Sequence, residues 1–189
     1  WMVMTTENGA VVMRKIFREN LVGIFLLSCI ALMANLAIAD QANPIVMMKT
    51  TDGDITIELF ADKSPITVKN FLRYADEGHF DGTVFHRVIP NFMIQGGGFT
   101  AVLEEKQTFA PIVNESRNKL HNTRGTVAMA RTSDPDSAAA QFFINQRSNL
   151  RLDWSPGKDG YTVFGKVLQG DDVLARLEKD LAARESARG

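Results

Sequence analysis

Two stretches decide the fold, FHRVIPNFMIQGGGF at residues 85–99 and AMARTSDPDSAAAQFFIN at residues 128–145. Both contain the two-residue alternation of β-strands. In the first, Met93 and Gln95 point to one face and Phe92 and Ile94 to the other, unless a bulge intervenes. In the second, Gln141 and Phe143 share a face while Phe142 and Ile144 take the core side. Each strand then presents one apolar group beside one amide. Arg87, on a strand just upstream, brings a guanidinium among apolar neighbours, where it needs an acceptor close by. An apolar pocket flanked by amides and one arginine suits a peptide bond that carries a compact apolar ring. On spacing alone, the same pattern also describes an ordinary half-buried sheet whose polar groups snorkel to water.

Moving outward, residues 45–50 and 55–60 flank Asp52-Gly53, and Ile55, Ile57 and Leu59 alternate with Thr56 and Glu58, the pattern of a β-hairpin with one buried face. A helix is expected over 65–77. Ser64 is its N-cap, Pro65 fits the first helical position, Val68, Phe71, Leu72 and Ala75 form a 3.6-period stripe, and Gly78 closes it. Further strands are expected over 83–89, 92–95, 126–130, 141–145 and 161–167. A second helix over 171–184 places Val173, Leu174, Leu177 and Leu181 on one side. Short strands with two helices, and no internal repeat, predict a mainly β chain folded as an antiparallel barrel or sandwich.

The chain has 189 residues, 45% hydrophobic and 23% charged, with a net charge of −1. That balance is globular and excludes a polybasic nucleic-acid binder. Its single cysteine, Cys29, excludes an intramolecular disulfide, and a Cys-based zinc site would need several thiolates. His79, His86 and His121 are too far apart for a helical metal pair. Gly96-Gly97-Gly98 lacks the Gly-Lys-Ser/Thr ending of a phosphate loop, so it reads as a tight backbone turn, and there is no G-x-S-x-G elbow. Asn114-Glu115-Ser116 matches a glycosylation sequon, a motif frequent by chance.

The N-terminal segment has its own logic. Met13-Arg14-Lys15 is basic, 21–36 is almost wholly apolar, and Ala37-Ile38-Ala39 is a small-residue triplet, the order of a secretory signal peptide. A membrane anchor is the other reading, since about 18 apolar residues just span a bilayer. Asn35 interrupts the run and no basic cluster follows it, so cleavage after Ala39 is expected. Residues 1–39 then form an extension and signal peptide, with Met13 the natural start. Residues 40–189 form one domain in the periplasm, with no stable membrane association after processing. A domain of this size buries roughly 68–70% of its unfolded surface and needs no staple.

The two motifs, together with VFGKV at residues 163–167, resemble the cyclophilin family of peptidyl-prolyl cis-trans isomerases, and NTRGTVAMART and the signal segment are similar to its exported Gram-negative branch. The resemblance runs from about Pro44 to Gln169. It implies an eight-stranded antiparallel barrel capped by two helices, with the site on the outer face. It also implies an enzyme without metal or cofactor, whose partners are proline-containing polypeptides and unfolded exported proteins, with no nucleic acid. Position by position, Arg87 matches the catalytic arginine, with Gln95 and Gln141 the substrate-facing amides. Phe92, Met93 and Phe143 match the proline pocket and Leu152 its wall. Ala130 and Arg131 match residues whose main chain meets the peptide, and Tyr161 lines the groove. His86 adjoins the arginine but faces away, as a structural residue. A binder that kept the groove and lost turnover is the alternative, and the intact Arg87 favours the enzyme.

Three positions depart from the best-known members. Arg151 stands where many carry a tryptophan, Tyr161 replaces a histidine, and Arg131 an asparagine. Weak cyclosporin binding is therefore expected, with Trp154 available to fill part of the missing surface. Family members also continue past the second helix into a closing strand, whereas this sequence stops at Gly189, so that strand is expected to be missing.

Overall fold

The structure, a computed structural model, describes residues 42–186. The expected signal segment lies outside them. Strands β1 (Ile45–Thr50), β2 (Gly53–Leu59), β3 (Arg87–Ile89), β4 (Met93–Gly96), β5 (Thr126–Met129), β6 (Phe142–Asn145) and β7 (Val163–Gln169) are joined with helices α1 (Pro65–Asp76) and α2 (Asp171–Ser186). All neighbours are antiparallel, in the order β1-β2-β7-β5-β6-β4-β3. Among the described residues the barrel is thus a curled sheet of seven strands rather than eight, with β1 and β3 at its edges. The C-terminal stretch is taken by α2.

Strand chemistry explains the layers. Ile55, Ile57 and Leu59 of β2 are fully buried, while the intervening residues are only partly so. They join Val88, Ile94, Val127, Phe142, Ile144 and Phe164 in the interior cluster. Both helices bury their apolar faces in it, through Val68, Phe71 and Ala75 of α1 and Val173, Leu174 and Leu177 of α2. Leu181, the fourth residue of the expected stripe, lies outside the described side chains. Phe71 meets the rings of Phe80, Phe142 and Phe164 at centroid distances of 4.9, 5.6 and 5.2 Å. Gly53 opens β2 at φ 129°, where a side chain would also meet Val173 Cγ2 at 2.9 Å.

Two local expectations are corrected. Ser64 occupies the N-cap position of α1 but makes no side-chain cap. Its hydroxyl donates instead to Val163 O at 2.8 Å, and the helix is capped by the Glu115 carboxylate, which accepts from Thr67 N at 2.8 Å and Ile66 N at 3.2 Å. A carboxylate satisfies orphan amides and complements the helix dipole, so a distant Glu serves as well as a local Ser. The expected strand over 83–89 is really two pieces. Val84 N bonds to Phe99 O and Thr83 bridges to Thr100, while only Arg87–Ile89 pairs with β4. The first half therefore belongs to a different partner.

Candidate active site

The sheet register lines up one transverse row. Arg87 of β3 faces Gln95 of β4, Gln95 faces Phe143 of β6, Phe143 faces Ala128 of β5, and Ala128 faces Val163 of β7. Paired residues share a face, so the row stands on one side of the sheet. Met93, paired with Ile89, takes the same side two residues along. The opposite side carries the interior cluster. A second, separate cluster therefore covers the outer face, built on Met93, Ala128, Phe143 and Val163, with Phe92, Ala130, Leu152 and Tyr161 packed against it.

Phe92 breaks the simple alternation. Counting by twos sets it opposite Met93, yet it packs in the same cluster, because it precedes β4 and Asn91 turns the chain at φ 55°. Its carbonyl is gripped by Gln146 N at 3.0 Å and Asn149 Nδ2 at 2.8 Å. Asn149 in turn donates to Asn145 Oδ1 at 2.8 Å, and Asn145 reaches Asn122 Oδ1 at 3.2 Å. These three asparagines are buried. Sequence reading missed them, since a single Asn carries no periodic signal.

The polar rim is built from side chains. Gln95 Nε2 donates to Gln141 Oε1 at 2.9 Å, and Arg87 Nη1 reaches Gln95 Oε1 at 3.4 Å, a long contact that leaves the exposed guanidinium most of its donors. Gly98 makes room for Gln141. A Cβ on Gly98 would lie 2.5 Å from Gln141 Cγ, and Gly97 adopts φ 86°. Leu152, in the 3-10 turn Leu150–Leu152, accepts Tyr161 N through its carbonyl at 2.9 Å. The Tyr161 ring meets Phe143 edge-on at 5.7 Å. Arg131 lies over Tyr161 at 4.5 Å and Arg151 over Phe92 at 4.8 Å.

Other highlighted residues fall elsewhere. The Trp154 ring lies 5.3 Å from the Arg117 guanidinium and lines a separate cleft of about 270 Å³ with Lys119, Leu120 and His121. The guanidinium over the Phe92 ring is that of Arg151. His86 packs on Phe99 at 4.5 Å, and burial holds its imidazole below the usual pKa. Burial pushes the Asp153 carboxyl up, but donors from Asn122 and His121 together outweigh it and hold the carboxyl below the ordinary range. Asn114 ties the loops together, donating to Pro135 O at 3.2 Å and Gly160 O at 3.0 Å. Among the described residues no group of three or more His, Cys, Asp and Glu is placed to hold a metal ion.

Residues 45–188 match the family model described as cyclophilin type peptidyl-prolyl cis-trans isomerase/CLD. A peptidyl-prolyl cis-trans isomerase of Acinetobacter baylyi is 57% identical over 136 residues, covering 72% of this chain and 72% of that protein. Peptidyl-prolyl cis-trans isomerase B of Escherichia coli is 52% identical over 138 residues, covering 71% and 84%. Among solved structures, a cyclophilin type isomerase of Cryptosporidium parvum, crystallised in the presence of the dipeptide Ala-Pro, superposes with a TM-score of 0.60 at 31% identity, over 71% of this chain and 84% of that one. With an apolar cluster, an amide and an arginine on one sheet face, a second amide bonded to the first, and relatives of this closeness, the chain belongs to the cyclophilin-type peptidyl-prolyl cis-trans isomerases.

Proposed function

We propose that the outer face of β3, β4 and β6 is where this isomerase turns the X-Pro bond, with Arg87 and Gln95 acting on the reacting amide. The observation that carries this reading is the single row in which Arg87 and Gln95 stand beside Phe143, with Met93 and Phe92 in the same cluster. The apolar wall of Phe92, Met93, Phe143 and Leu152 takes the proline ring. Tyr161 and Arg131 border the groove. Ala130 N is already bonded to Gln141 O at 3.0 Å, so Ala130 offers the peptide its carbonyl.

The chemistry needs no bond made or broken. Amide resonance sets a barrier of about 18–20 kcal/mol, and unaided X-Pro rotation takes tens to hundreds of seconds. As the bond twists, resonance is lost and the prolyl nitrogen becomes pyramidal and basic. A donor beside that nitrogen is worth more in the twisted state than in either planar one, which is the condition for catalysis. The Arg87 guanidinium supplies the donor, Gln95 orients it, and Gln141 holds Gln95. An acceleration of order 10⁶ needs about 8 kcal/mol from these contacts and the ring grip combined.

The natural substrates in this reading are proline-containing, unfolded exported polypeptides, encountered in the periplasm. Support for export is the basic, apolar and small-residue order over 13–39. Protease-free NMR exchange on an Ala-Pro peptide tests the reaction: isomerisation speeds up at catalytic enzyme levels, whereas a mere binder only shifts resonances. N-terminal sequencing of the cell-fractionated protein tests export. A periplasmic form beginning at Asp40 supports it, and a product that keeps residues 21–36 and pellets with membranes contradicts it.

A further inference from the structure

Two guanidinium groups stand on aromatic rings of the outer face, one on Phe92 of the proposed proline pocket and one on Tyr161 at the border of the groove. Arg151 lies 4.8 Å from the Phe92 centroid and is exposed, and Arg131 lies 4.5 Å from that of Tyr161, whose ring abuts Phe143. Among the described residues neither pairs with a carboxylate. Arg131 spends Nε on Gly160 O, Nη1 on Thr132 O and Nη2 on Asp159 O, at 3.2, 2.9 and 2.8 Å. These acceptors are neutral, so the positive charge stays uncompensated and two of the five N–H groups remain. Asp153, two residues from Arg151, makes no ion pair with it: its carboxylate accepts from His121 and Asn122 instead. Lys158 adds a third cation by donating to the Arg151 carbonyl.

A cation held on an aromatic face is fixed and partly dehydrated, and it attracts a nearby anion more than a free surface lysine does. We propose that Arg151 and Arg131 make this rim selective for prolyl peptides that carry a carboxylate side chain directly beside the proline. The selectivity rests on the proline ring sitting between Phe92, Met93, Phe143 and Leu152. The chain is close to neutral in total, so the attraction is local to the rim and is read in single peptide residues.

The test is protease-free NMR exchange at low salt on two peptide pairs, Glu against Gln before the proline and Glu against Gln after it. At least one Glu peptide is expected to gain about fivefold in kcat/KM, through KM, corresponding to roughly 1 kcal/mol for one partly exposed ion pair. The gain should vanish in 0.5 M NaCl. It should be lost in Arg151→Gln or Arg131→Gln, and Arg151→Lys should retain it in the pair that Arg151 governs. Melting temperatures show whether each variant folds, and the exposed Arg151 can be changed even if Arg131, tied to three carbonyls, cannot. Equal rates for Glu and Gln peptides in the unmodified enzyme overturn the proposal, as does a preference that survives both Gln variants. If the Gln peptides are themselves not accelerated, the pocket assignment fails and the selectivity falls with it. If they are accelerated and Glu brings no gain, the selectivity alone fails.

Discussion

Gln95 donates to Gln141 across the rim of the outer face at 2.9 Å, joining β4 to the residue that leads into β6. The same Gln95 presents its other amide atom to Arg87. One amide therefore links the guanidinium to the segment that leads into a neighbouring strand, and the bare Cα of Gly98 leaves the space in which Gln141 lies.

Removing that link should cost activity and little stability. Gln141→Ala is expected to lower kcat/KM about tenfold, in line with loss of one positioned group. The melting temperature should stay within a few degrees, because a rim hydrogen bond contributes about 1 kcal/mol. Exchange kinetics and thermal melts together check this. An unchanged kcat/KM would remove Gln141 from the site.

Asn149 should matter despite its absence from every motif. It is 4% exposed and holds the Phe92 carbonyl and Asn145 at once. Asn149→Ala leaves buried polar groups unpaired, at about 1–3 kcal/mol. The expected outcome is a lower denaturation midpoint and a raised KM, since Phe92 loses part of its anchor. A variant with wild-type stability and KM would show that Gln146 alone secures the turn.

Stability and turnover should respond differently to pH. Burial is the largest cause that lowers the pKa of both His79 and His86. The unfolded imidazoles, near 6.5, gain protons first as the pH falls. The unfolded state then binds more protons than the folded one, so stability is full above about pH 6.5 and declines below it. The melting temperature should drop between pH 7.5 and 5.5. The proposed reaction transfers no proton and guanidinium groups keep their charge, so kcat/KM should stay flat from pH 6 to 8.5. A sloping rate profile would place a titrating group in the chemistry.

Cyclosporin should inhibit weakly. The face of Phe92 is covered by a guanidinium instead of an indole, and Trp154 lies against Arg117. Loss of a large aromatic contact at an interface centre costs about 2 kcal/mol or more. Inhibition titrations should therefore show Arg151→Trp binding at least tenfold tighter than the unmodified enzyme. Nanomolar inhibition of the unmodified enzyme would show that the ring is dispensable here.

How much of this was legible in the sequence follows from the range of each interaction. Alternation is local, so Ile55, Ile57 and Leu59 revealed β2, and Phe142 and Ile144 their core side. The motifs also gave the Arg87, Gln95 and Phe143 set that the register aligns. The Glu115 cap on α1 comes from 48 residues away and leaves no local mark. Nor does alternation foresee Asn91 at positive φ, which brings Phe92 onto the same face as Met93. The strand expected over 83–89 divided for the same reason: its first half found a partner near Phe99 that pattern cannot name.

The central claim is that Arg87 acts on the twisted amide and the ring pocket supplies ground-state binding. Its most direct test is protease-free NMR exchange on an Ala-Pro peptide with Arg87→Ala, alongside the peptide Kd from chemical-shift titration. Loss of a donor that acts in the transition state predicts a kcat lower by about 10²–10³ with Kd changed by less than about threefold. A kcat within about threefold of the unmodified enzyme, under 1 kcal/mol of barrier, would contradict it.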